Sequence, residues 1–134
     1  MPYQFDFDPK NKIFRARFAG RVTDEELKTY YREAAAQVKN TGAQAGLIDF
    51  SKASSFDVSR ATILELAATE PVLADPKATR VIVASSPAIF GMARMFELSG
   101  ERTRPNLHVV RTNEEAWAIL GVWNPKFQSI EPPS

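Results

Sequence analysis

The chain contains no cysteine and a single histidine, His108, among its 134 residues. The absence of cysteine excludes disulfides, thiolate metal ligands and a cysteine nucleophile. One histidine cannot form a zinc site by itself, so we expect His108, within the apolar run from Leu107 to Val110, to be structural. The sequence also has no G-x-G-x-x-G, P-loop or G-x-S-x-G motif. These absences favour a protein without catalytic activity, metal or other cofactor.

Long apolar runs and a strong excess of one charge are also missing. No apolar stretch approaches the ~20 residues that cross a membrane, and the N-terminus lacks the features of a signal peptide. We therefore expect a cytoplasmic protein. The net charge of +1 predicts no binding to nucleic acid. Residues 80–111 carry five arginines against two glutamates, which we interpret as a solvated surface.

Strand patterns are present from the beginning of the chain. Tyr3 to Phe7 and Ile13 to Phe18 alternate between apolar and polar residues around a turn at Pro9 to Lys12, which predicts an antiparallel hairpin. Three later apolar segments predict further strands: Gly46 to Phe50, Arg80 to Ala84 and Leu107 to Val110.

Helix-start signals stand between these strands. Thr23 with Glu26, and Thr112 with Glu115, have the spacing of capping boxes, and Ser86 precedes a proline suited to the first position of a helix. A further helix is predicted to begin near Asp57 and to stop before Pro71.

The element order is therefore β-β-α-β-α-β-α-β-α, which predicts an α/β fold. We expect an N-terminal β-hairpin followed by βα units, with a mixed, mostly parallel sheet flanked by about four helices. Residues 1–123 are predicted to be one domain, and residues 124–134 a loosely ordered, proline-bearing tail. Trp123 and Phe127 predict an apolar contact on the chain's own surface, or alternatively in a homodimer.

The segment from Gly46 to Arg60 is the most informative for function. It reads as a buried strand, a hydroxyl-rich loop and the first turn of a helix. Ligands and partners of such folds dock where the parallel strands end, which we call the carboxyl edge of the sheet. Capping and turn formation are the simpler explanation for most of these residues. The partner-binding candidates are Asp49, Ser51, Ser55, Asp57, Ser59 and Arg60.

The predicted third helix is apolar on more than one face. Core packing explains most of it, but methionines near aromatic rings also suit an adaptable apolar pocket. The ligand-pocket candidates are Phe90, Met92, Met95 and Phe96.

The order of motifs resembles the STAS domain superfamily, and more closely its SpoIIAA-like, STAS/SEC14-like group. The resemblance rests on F-x-G-x-V-T before the first helix, L-I-D-F-S with F-D-x-S, and the stretch from His108 to Trp117. It covers about residues 3–121. It implies a non-enzymatic switch like the anti-sigma factor antagonists, whose partner is an anti-sigma factor kinase.

The resemblance also implies a phosphorylation site. The family pattern Asp-Ser-Ser/Thr-Gly aligns with Asp57, Val58, Ser59 and Arg60, which places Ser59 at the phosphoacceptor position. Val58 and Arg60 depart from that pattern. The leading hypothesis is thus a small regulatory domain that binds a protein partner at the carboxyl edge. The alternative, implied by the SEC14-like connection, is a module that binds a lipid or a small apolar ligand.

Overall fold

The structure, a computed structural model, describes residues 3–130 and contains six strands and four helices in that range. In chain order they are β1 (Tyr3–Asp8), β2 (Ile13–Thr23), α1 (Asp24–Val38), β3 (Ala45–Asp57), α2 (Arg60–Ala68), β4 (Thr79–Val83), α3 (Pro87–Ser99), β5 (Leu107–Val110), α4 (Asn113–Leu120) and β6 (Gln128–Ile130).

All six strands form one mixed sheet in the order β5-β4-β3-β2-β1-β6. The strands from β2 to β5 are parallel to one another, and β1 is antiparallel to both β2 and β6. The predicted α/β fold, with an N-terminal hairpin and following βα units, is confirmed. The parallel strands all end at the same edge, so the carboxyl edge of the sequence interpretation exists.

The helices cover the two faces of the sheet unequally. Alternation along the strands directs Phe14, Ile48 and Ile82 to one face, where they belong to the larger core beneath α1, α2 and α3. Leu47 and Val81 point to the other face and pack in a smaller core with α4. The larger core includes a cluster of aromatic rings with centroids 4.9 to 6.0 Å apart, formed by Tyr3, Phe5, Phe14, Phe18, Tyr30 and Phe50.

The local helix signals are confirmed at three of the four helices. Thr23, Ser86 and Thr112 are the N-caps of α1, α3 and α4, and each side chain accepts a hydrogen bond from a backbone N–H three residues later. The fourth prediction is wrong by one turn, because α2 begins at Arg60 with Ser59 as its N-cap, and Asp57 still belongs to β3.

Two further boundaries differ from the sequence interpretation. Strands β2 and β3 continue as a paired ladder to Thr23 and Asp57, so the hydroxyl-rich segment is a strand and not a loop. Register shifts on either side of Ala19 and Gly20, the latter with a φ of 75°, break the alternation that would have revealed this ladder in the sequence.

The second difference lies in the C-terminal tail. Residues 128–130 form the edge strand β6 against β1, so the tail is ordered there, and residues 131–134 lie outside the described residues. Phe127 packs on Trp117 with ring centroids 6.0 Å apart, as predicted for the chain's own surface. Trp123 is 92% exposed, and its contact in a homodimer stays a prediction.

Candidate functional site

The carboxyl edge projects as a two-stranded extension of the sheet. We call residues 19–23 of β2 and 52–57 of β3 the ribbon. The last pair between β3 and β4 is Asp49 with Val83, so within the described structure residues 50–57 pair with a strand only on the side of β2. Within the ribbon, Val22 is fully buried, and Phe56 packs on Phe50 with ring centroids 5.4 Å apart. The ribbon is therefore anchored in the core and open along one strand edge.

The outer surface of the ribbon is polar. Lys52, Ser54, Ser55 and Asp57 are exposed, and Ser51 is partly exposed. Arg21 of the neighbouring strand forms an ion pair with Asp57 at 2.5 Å, and both side chains are about two-thirds exposed. An exposed pair of this kind contributes little to stability, so its charges are available to a partner.

Asp49 differs from the other candidates because it is buried. One of its oxygens accepts a hydrogen bond from the backbone N–H of Ser51 at 2.8 Å, and the other accepts one from the side-chain amide of Asn113 at 3.4 Å. These bonds connect the end of the β3–β4 pairing to the first turn of α4. The geometry gives Asp49 a structural role at the base of the ribbon, whereas the exposed candidates lie beyond it.

Ser59 lies where the N-termini of two helices meet. Its hydroxyl accepts a hydrogen bond from the backbone N–H of Thr62 at 3.1 Å, and its own backbone N–H donates to Asp24 at 2.7 Å. That backbone hydrogen bond is the main reason why the pKa of Asp24 lies below its ordinary value. Ser59 and Arg60 are both exposed, and Asp57 lies two residues before Ser59. The structure thus places Asp57, Ser59 and Arg60 together at the surface.

The surroundings of Ser59 oppose and favour a phosphate at the same time. The carboxylate of Asp24 approaches the residue from α1 and would repel an added negative charge. The N-terminus of α2 would attract that charge. A phosphate on this hydroxyl would therefore alter the hydrogen bond by which Asp24 of α1 holds the N-terminus of α2.

Two adjoining cavities lie beneath the helices on the larger-core side. We call the cavity lined by Arg80 and Arg104 the inner cavity and the one lined by Leu27 and Ile63 the outer cavity, as names only. Their volumes are about 60 and 50 Å³, and they share Tyr30, Tyr31, Ile48, Ile82 and Phe96 in their walls. Among the four pocket candidates, Phe96 lines both cavities. Met92 and Met95 are partly buried on α3 outside these walls, and Phe90 lies beneath the guanidinium of Arg111 at 4.0 Å.

The sequence interpretation missed the two charged residues of the inner cavity. Arg80 and Arg104 were assigned to a solvated surface, yet they are only 8% and 4% exposed and both line this cavity. For these two arginines the interpretation is wrong. The one signal in the sequence was that Arg80 begins an otherwise apolar strand, and nothing local marked Arg104.

His108 is a residue of β5 and forms a side-chain contact within the domain. Its Nε2 lies 2.9 Å from the side-chain oxygen of Asn106, and the residue is partly buried. Within residues 3–130 no group of three or more histidine, aspartate or glutamate side chains is arranged to hold a metal ion.

The fold and the site together describe an α/β domain with an exposed polar carboxyl edge and two small cavities beneath its helices. The sequence matches no protein-family model and no curated protein. Among the described helices, none has the length and apolar character needed to cross a membrane.

Proposed function

We propose that this chain is a non-catalytic regulatory domain that binds a protein partner through the ribbon at its carboxyl edge. The observation that carries the proposal is the unpaired side of β3 over residues 50–57, next to exposed polar side chains. An open strand edge offers backbone N–H and C=O groups to an extended segment of another protein. Exposed charged and hydroxyl groups beside that edge supply selectivity.

The STAS-like resemblance adds a regulatory step to this proposal. Ser59, the phosphorylation candidate, is exposed and borders the ribbon through Asp57. A phosphate there brings about two negative charges close to Asp24 and to the docking surface. We expect phosphorylation, by an anti-sigma factor kinase or a similar regulator, to weaken partner binding.

The test compares two charge-reversal variants at opposite ends of the sheet. Lys52→Glu changes the exposed surface of the ribbon, and Lys10→Glu changes an exposed turn at the amino edge. Each purified variant captures proteins from a lysate of the source cell, and quantitative mass spectrometry measures the recovery. We expect the recovery of at least one protein to fall about fivefold or more with Lys52→Glu and to stay unchanged with Lys10→Glu. The reason is that charged residues at the rim of an interface influence the rate of association.

Two further measurements test the phosphorylation step, and the comparison of the lysine variants tests the proposal as a whole. Ser59→Asp is expected to reduce the capture of the same protein. After the wild-type chain is incubated with that protein and ATP, which donates the phosphoryl group and leaves as ADP, intact-mass measurement is expected to find one phosphate on the chain. A set of captured proteins that is identical for Lys52→Glu and Lys10→Glu would contradict partner binding at the ribbon.

A second candidate function is favoured by the inner and outer cavities. Both have walls that are mostly apolar, and they lie between the sheet and α3, where the alternative sequence hypothesis expected a ligand. Apolar enclosure with a few polar groups is typical of small-molecule sites, but such sites measure about 300 Å³ or more, so any ligand larger than a few atoms requires these cavities to widen. On this view the chain is a ligand-binding module.

A further inference from the structure

A groove lies at the amino edge of the sheet, where the parallel strands begin, and thus opposite the ribbon. One wall is the turn after β1, and the other is the segment between α4 and β6. We call this space the edge groove. Its volume of about 410 Å³ is several times that of the inner or outer cavity and falls within the range of small-molecule sites. It is lined by residues 8–11, residues 121–124, Lys126 and Gln128.

A buried carboxylate holds the two walls of the edge groove together. Asp8 is 1% exposed and accepts hydrogen bonds from the backbone N–H groups of Lys10 and Asn11 at 3.0 and 3.2 Å and from the side-chain amide of Asn11 at 2.8 Å. Burial raises the pKa of Asp8, but the hydrogen bonds from Asn11 and from the backbones of Lys10 and Lys126 outweigh it, so the pKa lies below its ordinary value. Because Lys126 belongs to the opposite wall, Asp8 fixes the width of the groove.

Trp123 is presented to solvent by an anchored backbone. Helix α4 ends at Gly121, whose φ is 70°, and the N–H of Val122 donates to the carbonyl of Trp117 at 3.0 Å. Val122 packs on the smaller core, and Asn124 again has a positive φ, 47°. The indole of Trp123 is 92% exposed, although tryptophan side chains are on average highly buried. An exposed ring on a fixed backbone offers a flat surface for stacking at a low cost in conformational entropy.

The charged groups that a ligand in the edge groove would meet are hydrogen-bond donors. Lys10 and Lys126 are exposed, and in the described part of the chain neither forms a salt bridge. An ammonium group donates hydrogen bonds and cannot accept them. Asp8, the one carboxylate among the described lining residues, is already used by the protein. The groove therefore suits a flat ring that carries an anion better than a neutral sugar, whose hydroxyl groups also need acceptors.

We propose that the edge groove binds a free mononucleotide, with the base stacked on Trp123 and the phosphate held by Lys10 and Lys126. Base stacking on an aromatic side chain and the attraction of a phosphate to lysine are general means of binding nucleotides. A single nucleotide is favoured over a nucleic-acid strand because the net charge of the chain is only +1. The site lies at the edge opposite the ribbon, so this inference goes beyond the proposed regulatory function and does not depend on it.

The experiment titrates the ¹⁵N-labelled full chain with AMP, with adenosine, which lacks the phosphate, and with ribose 5-phosphate, which lacks the base. The indole N–H signals of Trp117 and Trp123 report stacking, and Trp123→Leu assigns them by removing one. We expect AMP to shift the indole signal of Trp123 and the amide signals of residues 10, 11 and 126. AMP should bind about fivefold or more tightly than either fragment, since only AMP makes both kinds of contact.

Three variants locate the site on the molecule. Trp123→Leu is expected to weaken AMP binding about tenfold by removing the stacking surface, and because the side chain is exposed the variant should fold normally. Lys126→Gln should weaken AMP binding about threefold and leave adenosine binding unchanged. Lys77→Gln is the matched control and should change neither, since Lys77 is an exposed lysine just before β4, at the same edge of the sheet but outside the groove.

Four results would overturn the proposal. They are equal affinities for AMP and adenosine, equal affinities for AMP and ribose 5-phosphate, AMP binding that neither Trp123→Leu nor Lys126→Gln weakens, and no binding of AMP up to about 10 mM. A single-stranded oligodeoxyadenylate of about ten nucleotides is titrated as a fourth ligand, and binding about tenfold or more tightly than AMP would assign the groove to a strand and not to a free nucleotide. None of these results bears on partner binding at the ribbon.

Discussion

Replacement of Val22 by threonine tests whether the ribbon is part of the folded sheet. Val22 is fully buried in β2, four residues beyond Phe18, where the sequence pattern predicted the strand to end. Threonine has nearly the same shape as valine and a similar preference for strands, so Val22→Thr mainly exchanges a buried methyl group for a hydroxyl. The effect on stability therefore reports burial at this position.

The expected loss follows from the burial of that hydroxyl. Placing a hydroxyl in an apolar environment without a full set of partners costs about 1 to 3 kcal/mol. For a chain of this length each kcal/mol lowers the melting temperature by roughly 4 °C. We therefore expect Val22→Thr to reduce the free energy of unfolding by about 2 kcal/mol and the melting temperature by roughly 8 °C.

Urea unfolding followed by circular dichroism measures this free energy, and the slope of the transition checks that the unfolded state is unchanged. The matched control is Ala19→Thr, since Ala19 lies in the same ribbon but is exposed. We expect that variant to stay within about 0.5 kcal/mol of the wild type. A loss below about 0.5 kcal/mol for Val22→Thr would place residue 22 in a solvated loop and refute the ribbon.

Three further predictions concern polar groups. Asp6 is 2% exposed and forms salt bridges with two arginines, Arg15 and Arg17. In urea unfolding, Asp6→Ala should lower the free energy of unfolding by about 3 kcal/mol, and Arg17→Ala should lower it by less than about 1 kcal/mol. Equal losses for the two variants would contradict this. Ser59→Ala should cost about 1 kcal/mol by removing the N-cap, whereas Ser59→Asn should cost little, and a large loss for both would argue against capping. Because the pKa of Asp24 is lowered in the folded state, its charge stabilises the protein above the unfolded pKa, and this gain is lost as the pH falls through the folded pKa. Asp24→Asn should thus be less stable than the wild type near about pH 6 in denaturation experiments, with a difference that shrinks below about pH 4, and a difference independent of pH would exclude this role.

The fold class could be predicted because its signals are local. Alternation in the first hairpin, three short apolar strands and the caps at Thr23, Ser86 and Thr112 each depend on residues within a few positions of one another. The register between β2 and β3 could not be predicted, because bulges near Gly20 shift the alternation by one residue. Strand β6 was missed because three residues carry almost no pattern without the neighbouring β1.

The candidate site, like the fold, could be predicted from the sequence only in part. The carboxyl-edge position of Asp57, Ser59 and Arg60 followed from the order of strands and helices, and the structure places them together at the surface. The contacts around these residues could not be predicted from the sequence, because the hydrogen bond between Ser59 and Asp24 joins residues that are 35 positions apart. Whether the resemblance to STAS domains extends to function stays a prediction.

The sequence by itself determined the α/β class, the caps and the edge at which the hydroxyl-bearing residues collect, because periodicity and capping are properties of neighbours in the chain. Only the tertiary structure decided that the hydroxyl-rich segment is a paired strand and that Arg80 and Arg104 are buried together. Burial depends on which distant segments pack against a side chain. Arg104, for example, is buried because the C-terminus of α2 lies over it, and the local sequence around Arg104 carries no trace of that contact.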